Sequence, residues 1–198
     1  MSSQAKSMSE AVVANTPTRI ESSMPYRILI VVGLAIGAVL GFVGNFLPSG
    51  PPQNVTYALS SLGIIMGSAL LAAWFARQGK STVAVGFALL ALAESIGFSG
   101  IFLSASAPTF PADYTFAAGV SLYAVALPLI SVPPAFPLWT RIIGTLAALP
   151  FAAHALLWLL GRSPDPSGPL ASIGYVLLIV TMVGWIITVL RAAPSPQR

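Results

Sequence analysis

The sequence predicts an all-α fold: a polytopic transmembrane bundle of six spans with both termini in the cytoplasm. Three observations carry that expectation. Six apolar stretches follow one another along the chain, each long enough, at about 1.5 Å per residue, to cross a hydrocarbon core of roughly 30 Å. Only nine basic and five acidic residues occur among 198, and 56% of the chain is hydrophobic. A soluble domain needs about a quarter of its residues charged to coat its surface, so this chain cannot be water-soluble. Finally, the basic residues fall almost entirely on one side of the expected membrane.

In chain order, residues Met1 to Pro25 are rich in Ser, Ala, Thr and Gln with scattered charges, which predicts a disordered cytoplasmic tail. The tail lacks the basic, apolar and small-residue regions of a cleavable signal, so the first apolar segment, Ile28 to Leu47, is expected to be an uncleaved signal anchor. The further spans are Tyr57 to Ala76, Thr82 to Ser104, Tyr114 to Val132, Leu138 to Leu160 and Leu170 to Leu190, followed by a short tail over 192–198. The joints are turn formers: Pro48-Ser49-Gly50-Pro51-Pro52, Gln78 to Ser81, Pro133-Pro134 with Pro137, and Ser163 to Gly168. Joints this short make sequence neighbours antiparallel.

With that alternation, Lys6, Arg19, Arg27, Arg77, Lys80, Arg141, Arg191 and Arg198 share one side, and only Arg162 lies on the other. This is the positive-inside signature. It accounts for the basic balance and leaves no support for a nucleic-acid role. The expected location is the plasma (inner) membrane of a bacterial cell, with the lipid bilayer as the first partner.

Gly33, Gly37 and Gly41 in the first span, with Gly44 beyond, and Gly63 and Gly67 in the second, form small-xxx-small faces. Such faces drive helix packing in lipid, where apolar side chains gain little by leaving the tails. They predict either packing within the chain or a seam to a second copy or another membrane subunit, while Leu34 and Leu40 are expected to look at lipid. A weak internal match, Gly86 to Leu90 with Gly174 to Leu178 and Gly97-Phe98 with Gly184-Trp185, allows a 3+3 inverted repeat of the kind transporters use. Apolar sequences also produce such matches by chance.

Glu94 stands near the middle of the third span. An ionised side chain at the bilayer centre costs roughly 2.5 to 3.5 kcal/mol on insertion scales, so intramembrane acids face a polar cavity or partner. His154 lies 13 residues past Arg141 and Glu94 14 past Lys80, on helices expected to run the same way, which puts both at one depth. Pro150, four residues before His154, leaves the Leu146 carbonyl without its helical donor, and Pro128 does the same for Ala124 beside Tyr123. Thr181 completes the expected proton- or solute-binding set of Glu94, His154, Tyr123 and Thr181. The competing reading is that Glu94 and His154 are structural, each satisfied by a neighbouring carbonyl or by Ser95. Trp74, Trp139, Trp158 and Tyr114 fit an interfacial belt.

Several chemistries are excluded. With no cysteine and one histidine, there is no thiol relay, disulfide framework or thiolate metal site, and neither a metal nor a cofactor is expected. No HExxH, GxSxG, phosphate loop or paired acids occur, and no spanning segment carries a lysine that could hold retinal. Two classes survive: a small carrier or channel-like protein for a proton or small solute, and a non-catalytic accessory or assembly subunit. Two ionisable groups at one depth favour the first.

The topology is open to direct test. Reporter fusions after Ser106 or Asp165 are expected to read as external and one after Lys80 as cytoplasmic; a cytoplasmic signal from either of the first two overturns the orientation.

Overall fold

The computed structural model describes residues 24–106, 112–162, 164–165 and 168–192. These residues form six α-helices: α1 (Met24–Gly44), α2 (Pro51–Arg77), α3 (Ser81–Ser106), α4 (Ala112–Ser131), α5 (Leu138–Leu159) and α6 (Pro169–Arg191). All six are long and apolar enough to cross a membrane, as a multi-pass membrane protein requires. The expected disordered tail lies outside the described residues except for Met24 and Pro25, which open α1. The carboxyl tail is described only at Ala192, and the side chain of Asp113 is also outside.

The two boundaries that differ most from the sequence reading are the starts of α1 and α2, and proline explains both. Pro51 and Pro52 do not end a loop; they occupy the first helical positions of α2, where the missing N–H costs nothing and the fixed φ is already helical. Asn54-Val55-Thr56, which matches the three-residue pattern of a glycosylation acceptor, therefore sits in the opening turns of a helix, with the Thr56 hydroxyl donating to the Pro52 carbonyl at 2.8 Å. Pro25 likewise stands in the first turn of α1. Two C-termini close on glycines in the left-handed region, Gly79 (φ 73°) after α2 and Gly161 (φ 74°) after α5, where a side chain would be strained.

The helices close into a ring in chain order. Each packs on its sequence neighbours, and α6 returns to pack on α1. At that closure the buried Arg27 of α1 donates to the carbonyl of Ala192, at the end of α6. Arg141 does the same for α4, donating to the carbonyls of Ser131 at 3.0 Å and Val132 at 2.6 Å. Cations at helix C-termini satisfy orphan carbonyls and the negative end of the dipole together. Arg77 and Lys80 lie over the rings of Tyr26 and Phe75. We refer to this end as the basic end, and to the end at which α1, α3 and α5 finish as the opposite end. Large apolar side chains are exposed on the outer faces of all six helices, as a lipid-facing surface needs.

The tightest seam joins α1 to α2. A methyl group placed on Gly63 would lie 2.6 Å from the Gly33 carbonyl oxygen and 2.8 Å from the Gly37 nitrogen; one on Gly33 would lie 2.9 Å from both the Gly63 oxygen and the Gly67 nitrogen. Gly41 faces the Ser60 hydroxyl and Gly44 the Tyr57 ring. The glycine faces thus meet each other inside one chain. Leu34, expected to look at lipid, is instead fully buried and packs on Gly67. The inward arc of a ring helix is wider than its glycine line, and Leu34 falls within it. The glycines matched in the internal repeat have unlike seats: Gly86 lies against Ala126 and Ile130 of the following helix, Gly174 against Phe151 of the preceding one.

The seam makes a contrast measurable in detergent. Gly63→Leu forces two backbones apart and is expected to cost about 3 kcal/mol or more. Leu34→Ala is expected to cost about 2 to 5 kcal/mol through the cavity it leaves, whereas Leu62→Ala, on the exposed face, should leave thermal stability and folded yield near wild type.

Candidate functional site

Six helices in a ring leave an axis that no backbone fills, and its two halves are filled differently. Toward the basic end it is packed with aromatic side chains. Phe87 of α3 meets Trp185 of α6 across the ring at 4.9 Å between centroids, Phe75 of α2 stacks on Phe87 at 5.7 Å, and Phe136 from the α4–α5 loop abuts Phe75 at 5.4 Å. All four are buried. Toward the opposite end the axis holds a cavity of about 550 Å³.

The cavity is lined by α1 from Gly37 to Gly41 with Asn45 just beyond its end, α2 from Gln53 to Ile64, α3 from Ala93 to Ile101, α4 from Thr115 to Tyr123 and α6 from Ser172 to Met182. On every one of these helices the lining covers the half nearer the opposite end, and Ser49 of the α1–α2 loop stands at the mouth. Polar groups descend along α1 and α2. The Gln53 amide donates to the Gly44 carbonyl at 3.1 Å, the Tyr57 hydroxyl to Asn45 Oδ1 at 3.2 Å, and the Ser60 hydroxyl to the Gly37 carbonyl at 2.7 Å. At the inner end stands the carboxyl group of Glu94, buried. It accepts a hydrogen bond from the Tyr123 hydroxyl and shares the cavity wall with Ser61. Tyr175 of α6 also lines this region, its ring 6.5 Å from that of Tyr123.

The four expected site residues separate into two groups. Glu94 and Tyr123 are joined directly. His154 is buried on α5, a helix that contributes nothing to the lining. Its ring meets the edge of Phe116 at 5.0 Å, and neither ring nitrogen has a hydrogen-bond partner among the described residues. Phe116 lines the cavity, so the imidazole stands behind it. Thr181 bonds back to the Leu177 carbonyl at 2.8 Å and faces Gly144 at the α5–α6 contact. Equal depth does not make contact, because α4 stands between α3 and α5 in the ring. Neither Ala124 nor Leu146, whose carbonyls the prolines free, lines the cavity, and Leu146 is exposed on the outer face. Ser95, weighed as a partner for Glu94, bonds its own helix at Ala91.

Sequence reasoning overlooked Ser60, Ser61, Tyr57, Tyr175, Asn45 and Gln53. A signal for some of them existed: Ser60-Ser61 is a polar pair inside an apolar span three residues before Gly63, on a face that the glycines mark as buried. Among the described residues there is no group of three or more His, Asp or Glu that could hold a metal ion. No family model matches this chain, and neither a curated protein nor a solved structure matches it.

Thermal unfolding of single and double variants separates the two groups. Tyr123→Phe and Glu94→Gln share a hydrogen bond and are expected to be non-additive by about 0.5 to 3 kcal/mol, while Glu94→Gln and His154→Phe should add within about 0.5 kcal/mol. His154→Phe by itself is expected to raise stability, since it replaces a buried ring with two unbonded nitrogens by an apolar one of similar shape.

Proposed function

We propose that this protein is a small carrier or channel-like membrane protein for a proton or small solute, with Glu94 as its titrating group. The single observation that supports this most is the position of the carboxyl group. It stands at the inner end of a cavity that carries hydroxyl and amide groups among apolar ones and whose mouth lies at one end of the bundle, with an aromatic layer between it and the other end. Packing alone requires no such access. A carboxyl group retained only for structure would sit against a neighbouring carbonyl, with apolar surroundings on every side.

With the basic end in the cytoplasm, as the positive-inside rule directs, the cavity opens to the outside and Phe75, Phe87, Phe136 and Trp185 close the cytoplasmic side. Glu94 would then exchange protons or solute with the external medium through hydroxyl and amide groups, and passage inward requires the aromatic layer to part. The glycine faces that suggested an assembly role are occupied between α1 and α2, which leaves the cavity as the stronger guide. The location proposed is the plasma membrane.

Proteoliposomes loaded with a pH-sensitive dye supply the test. Wild type is expected to dissipate an imposed pH gradient, alone or with a co-transported solute, and Glu94→Gln to fall to the level of empty liposomes while keeping its folded yield. Full activity in Glu94→Gln, or no flux from wild type under any gradient, would sink the reading.

A further inference from the structure

We propose that the cavity binds a small monovalent organic cation, an amine or quaternary ammonium compound, whose charge is balanced by the Glu94 carboxylate. The proposal rests on the reading of the cavity as a solute site, and it specifies the class of solute.

The sign of charge comes first. Among the described cavity-lining residues Glu94 is the only acid, and none is Lys, Arg or His. The bonded cations Arg27 and Arg141 belong to the basic end, beyond the aromatic layer. An anion entering from the mouth would find no counter-charge and would face a carboxyl group. A cation would find one opposite charge, which sets its valence at one.

Size and surface come next. A volume of about 550 Å³ lies within the range of small-molecule sites, roughly 300 to 1,000 Å³. A bare metal ion is a poor occupant, because hard cations take about six or more oxygen ligands at about 2.0 to 2.6 Å, and no cluster of three or more His, Asp or Glu is present among the described residues. Much of the wall is aromatic instead: Tyr57, Phe116, Tyr123 and Tyr175 all line it. Tyr123 and Tyr175 are inclined at 71° to each other, so they present an angled surface and not a flat slot. Ring faces attract diffuse organic cations and are the recurrent means by which ammonium groups are held. Hydroxyl and amide groups nearer the mouth, from Asn45, Gln53 and Ser60, supply contacts for a polar substituent.

Protonation is coupled to occupancy. Among the described cavity-lining residues the other titratable groups are phenols, Tyr57 of α2, Tyr123 of α4 and Tyr175 of α6; α1 contributes none. Phenols are uncharged near neutral pH, so the empty site gains nothing by ionising its acid inside the bundle. When a cation enters, Glu94 loses its proton to water at the mouth and the site stays neutral. One proton leaves per cation bound.

Gly97 supplies a means of blocking the cavity without disturbing the ring. It lies three residues from Glu94 on the cavity wall, and of the helical glycines in the described residues it is the one at which an added Cβ would meet no atom within 4 Å. Gly97→Leu is expected to fill the cavity and keep its folded yield.

The full chain in lipid nanodiscs is titrated calorimetrically with choline, tetraethylammonium and benzyltrimethylammonium, and with 3,3-dimethylbutan-1-ol, the uncharged carbon analogue of choline. At least one cation is expected to bind and to release close to one proton, its affinity rising about tenfold per pH unit while Glu94 is protonated in the empty site. Glu94→Gln should weaken that binding at least about tenfold and abolish proton release, the loss expected when a charge-assisted contact is removed. Gly97→Leu should block it. Binding of no cation overturns the proposal, as does equal binding of choline and its uncharged analogue, or unchanged cation affinity in Glu94→Gln. Glu94-dependent proton flux in liposomes without cation binding refutes the organic cation and leaves the carrier reading standing. Cation binding with no flux of either species supports the site and refutes the carrier.

Discussion

A ring of six helices has an open axis, and the rest of this structure depends on how that axis is filled. Backbone groups in hydrocarbon must be satisfied within their own segment, so each span is a helix. A helix that packs on two neighbours in a closed ring presents its inner face to an axis that side chains alone can fill. Phe75, Phe87, Phe136 and Trp185 are large enough to meet across it from α2, α3, α6 and the α4–α5 loop. Edge-to-face and stacked pairs of this kind contribute about 0.5 to 1.5 kcal/mol each beyond their buried area. Half a bundle length away the inner faces carry Gly37, Gly41, Gly97 and Gly119 together with Ser60 and Ser61, and residues this small cannot fill the axis between helices that are not neighbours. The cavity is therefore a consequence of residue size, and the plug and the cavity are two solutions to one geometric problem.

The glycine seam and the cavity are also connected. Drawing α1 and α2 together at Gly33 and Gly63 brings Ser60 to the Gly37 carbonyl and Tyr57 to Asn45. Those contacts form one polar wall, so packing that looks purely structural sets the positions of groups that line the site. Closure of the ring at Arg27 and Ala192 holds α6, and with it Tyr175, against the same wall. A change that loosens either seam would alter the cavity without touching any residue that lines it most deeply.

The fold class was readable because composition and span length are one-dimensional properties, and the six helices lie where the apolar runs lie. Depth was readable too: the residue count from Lys80 puts Glu94 well inside the bundle. Azimuth was not. Whether His154 or Tyr123 faces Glu94 depends on ring order and on the rotation of each helix about its axis, and neither leaves a mark in a sequence whose outer face is as apolar as its core. Leu34 was misplaced for the same reason, since lipid and protein interior select the same side chain there. Glycines did mark a direction, because only a close neighbour demands the absence of a side chain. They pointed correctly to buried faces and could have been used to place Ser60-Ser61 beside them.

The two prolines acquire a different meaning once azimuth is known. Their freed carbonyls do not line the cavity, so coordination is not their contribution. Pro128 lies in α4 between Tyr123 and Ser131, and Pro150 precedes Phe151, whose ring stacks on Tyr123 at 4.9 Å. Each removes one rung of the helical hydrogen-bond ladder at the depth where cavity gives way to plug. In a carrier, the layer of Phe87 and Trp185 must open, and a helix bends most easily where a rung is missing. Tyr123 is the side chain that couples such a bend to the acid, since it stands on α4, donates to Glu94 and rests on the residue after Pro150. Bending α4 or α5 would shift the phenol and so change how well the carboxyl group is satisfied, which is the link between protonation and movement that a proton-coupled cycle requires.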